Sequence, residues 1–275
     1  MASYDVIKDL PLEVEECSFE GLELSLGEFE RLTTVIKLRG GGEEGIGEDV
    51  VYDAVDHVGQ QGHGPPAGLA HSGTFDEFSK RLDGIDLFPA GAPERAEVSR
   101  DYRRWAYESA ALDLALRQAG TSLAAALGRE PRPLNFVSSL RLGGFSPDEK
   151  STITPVTERL AAYPTLRFKL DPFNDWDDEL IAALVATGAV DSLDLKGFYK
   201  GTPVDVITDP ELYAKLIEAF PDAWLENPDV TDATRPLLDP VHERVTWDAP
   251  IHSIADIEAM PFSPPKVVNV KPSRF

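Results

Sequence analysis

Five charged residues, Lys169, Asp194, Glu226, Asp248 and Lys271, stand at or beside the ends of short apolar runs: Leu166-Arg-Phe-Lys169, Ser192-Leu-Asp-Leu195, Ala223-Trp-Leu-Glu226, Arg244-Val-Thr-Trp-Asp248 and Val267-Val-Asn-Val-Lys271. Runs of this length and composition read as strands buried on both faces, and parallel sheets collect ligands at the C-terminal ends of such strands. Three carboxylates brought together are hard oxygen donors of the kind that hold divalent cations, and a lysine serves as a base where neighbouring cations lower its pKa. The plainer alternative is structural, with Asp194 and Lys196, or Asp248 and an arginine, as buried ion pairs.

The elements needed to carry these residues follow from the spacing. The five positions are 25, 32, 22 and 23 residues apart, each about one βα unit, which occupies ~30 residues. Strands are expected at Phe136–Leu140, Leu166–Leu170, Ser192–Lys196, from Ala223, at Arg244–Trp247 and at Val267–Val270. Between them lie helical stretches: one opened by Pro155, one capped by Asp177 or Asp178 and closed by Gly188, one between Pro210 and Pro221, and a short one capped by Ser253. Repeated βα winding is right-handed and suits either a closed barrel or an open parallel sheet.

Ahead of Pro131 the chain reads differently. Leu12 to Gly47 alternates with period two and suggests one small antiparallel sheet. Gly40-Gly-Gly-Glu-Glu-Gly45 matches G-x-G-x-x-G, but glutamates inside the loop would repel a pyrophosphate, so it is read as a hairpin turn. Gln60–Pro66 is expected to be a long loop, with His57, His63 and His71 exposed near or within it. Ser99 is expected to cap a helix reaching Gly120, and a short helix spans Leu123–Leu127. The domains are thus residues 1–130 and 131–275.

With 275 residues the chain can build substantial cores. Its net charge of −22 argues against nucleic acid and anionic membranes as partners, and makes local clusters of lysine more telling. The single cysteine, Cys17, excludes an intrachain disulfide and fits a cytoplasmic setting. Neither a signal peptide nor a membrane-spanning run is legible.

Taken together, the segment Thr33–Arg39, the helix Glu108–Leu116 and the strand-end residues resemble the enolase superfamily, in its muconate-lactonising and mandelate-racemase-like branch. The resemblance covers most of the chain. It implies a (β/α) TIM-type barrel with an N-terminal α+β capping domain. On it, Arg167-Phe-Lys169 answers the branch's K-x-K, Asp194, Glu226 and Asp248 answer its metal-binding acids, and Lys271 in Asn269-Val-Lys-Pro272 answers its second lysine. The all-oxygen donor set suits Mg²⁺, with Mn²⁺ as a substitute. Three positions depart from the branch's pattern: Arg167 for the first lysine, Ala249 after the third acid, and Lys196 where asparagine is usual.

The implied activity is abstraction of a proton α to a carboxylate through an enediolate, giving a racemase or epimerase, a cycloisomerase, a dehydratase or an o-succinylbenzoate-synthase-like lyase. Lys169 and Lys271 are expected to flank the substrate, both acting in racemisation or epimerisation, or one as base and the other as electrostatic partner in cycloisomerisation or elimination, with Arg167 and the metal lowering the pKa of Lys169. Ser138, Lys196 and Asn269 are candidate contacts to a small carboxylate substrate. The alternative is a non-catalytic barrel homologue that binds or scaffolds. Six strands fall short of the eight a barrel needs, so a longer chain, a homo-oligomer or a second polypeptide is expected to complete it.

Overall fold

The computed structural model describes residues 2–26, 29–144, 149–202 and 204–274. They divide into two compact units, Met1–Arg132 with Lys271–Phe275, and Pro133–Val270.

The first unit runs through α1 (Ser3–Ile7), β1 (Pro11–Val14), β2 (Glu16–Leu26), β3 (Phe29–Gly40), β4 (Glu43–Asp49), α2 (Ala54–His63), β5 (His71–Thr74), α3 (Phe75–Leu82), α4 (Ala96–Gln118) and α5 (Leu123–Ala126). Strands β2, β3 and β4 form an antiparallel sheet, and β1 pairs instead with β5. The expected single sheet is therefore two sheets. Glu15 marks the change of partner, its N–H still donating to Arg39 O at 2.7 Å. The glycine-rich stretch is the expected hairpin: Gly41 and Gly42 adopt φ of +56° and +81°, and β4 returns antiparallel along β3. Gly45 answers a different need, because a Cβ there would lie 2.3 Å from Ala110 O of α4.

Two further expectations in this unit are corrected. Gln60 to His63 belongs to α2, and His57 on that helix is fully buried rather than exposed. Its ring lies 2.9 Å from both Thr34 Oγ1 and Val51 O, so a tertiary socket holds a helix that its glycines would not favour alone. Ser99 does not cap α4; the helix begins at Ala96 and Ser99 is buried within it.

The second unit alternates β6 (Val137–Arg141), α6 (Thr154–Ala162), β7 (Arg167–Asp171), α7 (Asp178–Thr187), β8 (Val190–Asp194), α8 (Pro210–Ala219), β9 (Trp224–Glu226), α9 (Arg235–Leu238), β10 (Val245–Trp247), α10 (Ile254–Ala259) and β11 (Val267–Val268). All six strands are parallel and lie side by side in chain order, so β6 and β11 each have one neighbour among the described residues. This is the architecture of a partial TIM-type barrel. Its helices start where the chain offers caps: Asp177 accepts from Leu180 N at 2.8 Å, Asp209 precedes Pro210, and Ser253 accepts from Asp256 N at 3.2 Å.

One face of the sheet is apolar. Phe168, Leu170, Leu193, Leu225, Val245 and Trp247 form a core with side chains of the helices, among them Leu184 and Leu216. The alternate residues, Lys169, Asp171, Ser192, Asp194, Glu226 and Thr246, share the other face, as the strand period of two requires. A bulge between β7 and β8 sets this phase: Phe168 pairs with Val190 but Lys169 with Ser192, leaving Asp191 as the extra residue. Among the described residues no helix is long and apolar enough to cross a membrane.

In the first unit Arg103 and Asp49 are buried together, 2.7 Å apart, and the guanidinium also donates to Leu87 O and Asp56 O. Asp49→Ala should cost about 3–5 kcal/mol in urea unfolding, because it strands a buried guanidinium. Cys17 packs against the same core, and burial pushes its thiol up to about 12. The native thiol thus keeps a proton that the unfolded chain loses above the ordinary value of 9.0, so its contribution to stability falls as pH rises through that window. At pH 8, iodoacetamide should label Cys17 slowly in the native protein and readily in urea.

Candidate functional site

The C-terminal ends of β7 to β10 gather four carboxylates and two ammonium groups. Asp194 closes β8 and Glu226 closes β9 as register partners, while Asp248 follows β10 on the face of Thr246, which is itself in register with Glu226. All three acids are at least 96% buried. Lys169 Nζ donates to Glu226 Oε1 through a short contact and lies 3.4 Å from Asp194 Oδ2. Lys196 Nζ lies 2.6 Å from the same Asp194 oxygen and 3.1 Å from Asp171 Oδ1.

Local backbone accounts for this packing. β8 ends at Asp194, two residues before the expected Lys196, and Lys196 turns into the left-handed region with φ +57°. Its N–H then faces Asp194 Oδ1 at 3.3 Å and its side chain folds back over the carboxylate. Gly197 permits the turn, since a Cβ there would sit 2.5 Å from Asp229 N. Asn227, also left-handed at φ +49°, is fully buried behind the acids. Its Oδ1 accepts from Asp248 N at 2.9 Å and Ala249 N at 3.2 Å, and its Nδ2 approaches Asp194 Oδ1 at 3.4 Å. One amide thereby ties two of the acids together.

Of the residues singled out by sequence, the structure brings together Lys169, Asp194, Glu226, Lys196 and Asn269, whose side chain hydrogen-bonds Glu226. Asp248 belongs with them, as its charge acts on Lys169. Two others, Arg167 and Ser138, lie elsewhere. Arg167, at the opposite end of β7, pairs with Asp191 and donates to Gly188 O, so its charge is spent away from Lys169. Ser138 is in register with Phe168, on the helix-facing side of the sheet, whereas Ser139 shares the face of Lys169. Lys271 belongs to the first unit, where it lines a cavity of about 400 Å³ with Arg31, Tyr52, Tyr102 and Arg274.

Asp171 and Asn227 were not singled out by sequence. Asp171 was within reach, because it stands two residues after Lys169 and must share its face. Asn227 carried a weaker signal, an amide residue of the kind that tolerates positive φ, placed between an acid and a proline.

Electrostatics within the cluster are opposed. Burial depresses the Lys169 ammonium, but the charges of Asp194, Glu226 and Asp248 outweigh it and raise the pKa. The expected lowering by Arg167 is thus reversed by the carboxylates. Lys196 is likewise raised by Asp194 and Asp171 against burial. Burial and the Asp194 charge raise Glu226 despite Lys169, and burial raises Asp171 despite Lys196.

The donor set fits a hard divalent cation: three buried carboxylates on successive strands, with the buried hydroxyls Ser192 Oγ and Thr246 Oγ1 on the same face lacking hydrogen-bond partners among the described residues. The spacing is another matter. Among the described residues no three acids are drawn tightly enough to hold an ion as they stand, and the two ammonium groups stand between them.

Comparison with solved structures finds the same fold in enolase-superfamily enzymes. A mandelate racemase/muconate lactonizing enzyme from Bordetella bronchiseptica RB50 aligns with a TM-score of 0.63 at 16% identity, over 96% of this chain and 73% of that one. A mandelate racemase/muconate lactonizing-type protein from Roseovarius nubinhibens ISM, solved in complex with magnesium, aligns at 0.60 and 15% identity, over 96% and 72%. A muconate cycloisomerase from Azorhizobium caulinodans gives 0.54 and 17%, over 90% and 67%. At these identities the likeness is one of fold. By sequence the chain belongs to the family described as domain of unknown function DUF8230, whose N-terminal-domain model matches residues 5–126 and whose C-terminal-domain model matches residues 130–275. No curated protein matches it.

Asn227→Ala removes the acceptor of two amides beneath the acids. Urea unfolding should show a loss of about 2–4 kcal/mol, the cost of leaving two enclosed N–H groups unsatisfied.

Proposed function

We propose that this protein is a divalent-metal-dependent enzyme that abstracts a proton α to a carboxylate. The observation that carries the reading is the burial of Asp194, Glu226 and Asp248 on successive strand ends around the Lys169 ammonium. Nothing in the core requires three buried acids there, because the helix-facing side of the sheet is complete without them.

Asp194, Glu226 and Asp248 would hold Mg²⁺ or Mn²⁺. When bound, the ion would take up the carboxylate charge that keeps Lys169 protonated and would hold the substrate carboxylate. Lys169 is then the group that receives the α-proton and returns it to the enediolate. Asn227 fixes the backbone of Asp248 relative to Asp194, and Asn269 orients Glu226. Lys271 would be the second acid–base group in racemisation or epimerisation, or an electrostatic partner in cycloisomerisation or elimination.

One observation favours a second reading, a non-catalytic homologue that uses the unit as a binding or scaffold element: Lys196 occupies Asp194 while Arg167 is turned away to Asp191. The two are separated by ¹H/²H exchange. Incubated in D₂O with Mg²⁺ and a panel of α-substituted carboxylates, the enzyme should incorporate deuterium at the α-carbon. Lys169→Met should slow exchange by roughly 10²–10⁴-fold, the span of general acid–base contributions. Tight Mg²⁺ binding with no exchange across the panel would favour the scaffold reading.

A further inference from the structure

Lys196 has no part in the reaction proposed above, yet its placement is the most constrained in the cluster. A non-glycine residue in the left-handed region is uncommon, and a lysine held there with its ammonium inside the fold is more so. Its ammonium is shared between Asp194 Oδ2 at 2.6 Å and Asp171 Oδ1 at 3.1 Å, and lies 5.2 Å from the centre of the Tyr199 ring. Both Asp194 oxygens are therefore engaged by the chain's own donors: Oδ2 by Lys196 and Lys169, Oδ1 by Lys196 N and Asn227 Nδ2. Asp171 is half-buried beside them, with Arg141 of β6 as its register neighbour and Lys196 as its ion-pair partner.

We infer that Lys196 is an exchangeable internal counter-ion that competes with the divalent cation for Asp194, and that Asp171 is the alternative partner to which its ammonium withdraws when the cation binds. This rests on the metal reading of the site. Two independent features point to a ligand there, the hydroxyls of Ser192 and Thr246, unpartnered among the described residues, both more than nine-tenths buried and on the face of the acids. The ammonium bridges two carboxylates whose pull on it differs by only half an ångström, so passing from one to the other needs no rebuilding of the loop. Such a device makes cation binding weaker than three buried carboxylates would otherwise give.

The inference assigns opposite signs to the two partners. Lys196→Gln removes the competitor and should tighten Mn²⁺ binding by about tenfold or more, the scale of a unit charge removed from beside an ion. Asp171→Asn removes the withdrawal site, leaves Lys196 on Asp194, and should weaken Mn²⁺ by a similar factor. In the Lys196→Gln background, Asp171→Asn should have no effect, which separates a role exerted through Lys196 from direct coordination by Asp171. The measurement is calorimetric titration of chelator-treated full chain with MnCl₂, each variant first checked for native melting by circular dichroism. Wild-type binding that Lys196→Gln leaves equal or weaker overturns the inference and spares the metal reading. Absence of Mn²⁺ binding in the wild type and in every variant overturns both. Should Lys196→Gln not fold, Asp171→Asn alone decides, and unchanged or tighter binding overturns the inference.

Discussion

Buried negative charge at the strand ends is the constraint to which the second unit answers. A carboxylate removed from water must find a cation or several donors, and each cation buried for that purpose must in turn be compensated. The solution here is mutual. Lys169 serves Glu226 and Asp194, Lys196 serves Asp194 and Asp171, and the Asn227 amide fills the remaining gaps. The two left-handed residues exist to deliver these groups: strand β8 stops at Asp194 so that Lys196 can fold back, and strand β9 stops at Glu226 so that Asn227 can turn beneath it.

That arrangement explains why the pKa directions disagree with a simple reading of neighbours. A lysine intended as a base is expected to be surrounded by cations, yet Lys169 is surrounded by carboxylates and held protonated. The only arginine two residues away is committed to Asp191 and a helix C-terminus. In this chain the charge state of the lysine is therefore set by the acids packed against it rather than by its nearest arginine.

Much of this was legible in the order of residues, and the failures have physical causes. The βα repeat and the six strands could be read because short apolar runs, helix starts at Asp177, Pro210 and Ser253, and the spacing of strand-end charges all agree. The converging acids could be read because burial of a strand end leaves few other uses for a carboxylate. The socket of His57 could not, because it depends on Thr34 and Val51, which meet the helix only in the folded chain. The fate of Arg167 was hidden for a similar reason, since two residues on one face of a strand need not send long side chains the same way. Lys196 was visible as an anomaly, but its role depends on a backbone turn that the sequence marks only by the glycine after it.

The bulge at Asp191 has a consequence for how this family can diverge. The extra residue brings Ser192 and Asp194 onto the face of Lys169 and sends Leu193 into the core. Loss of one residue from Val190–Ser192 would leave Lys169 and Leu170 opposite the same partners, so the two faces would stay as they are. Straightening the ladder with every residue kept would instead set Lys169 opposite Asp191 and Leu170 opposite Ser192, placing Asp194 among leucines and Leu193 among acids. The segment is thus open to shortening by one residue and closed to straightening at its present length.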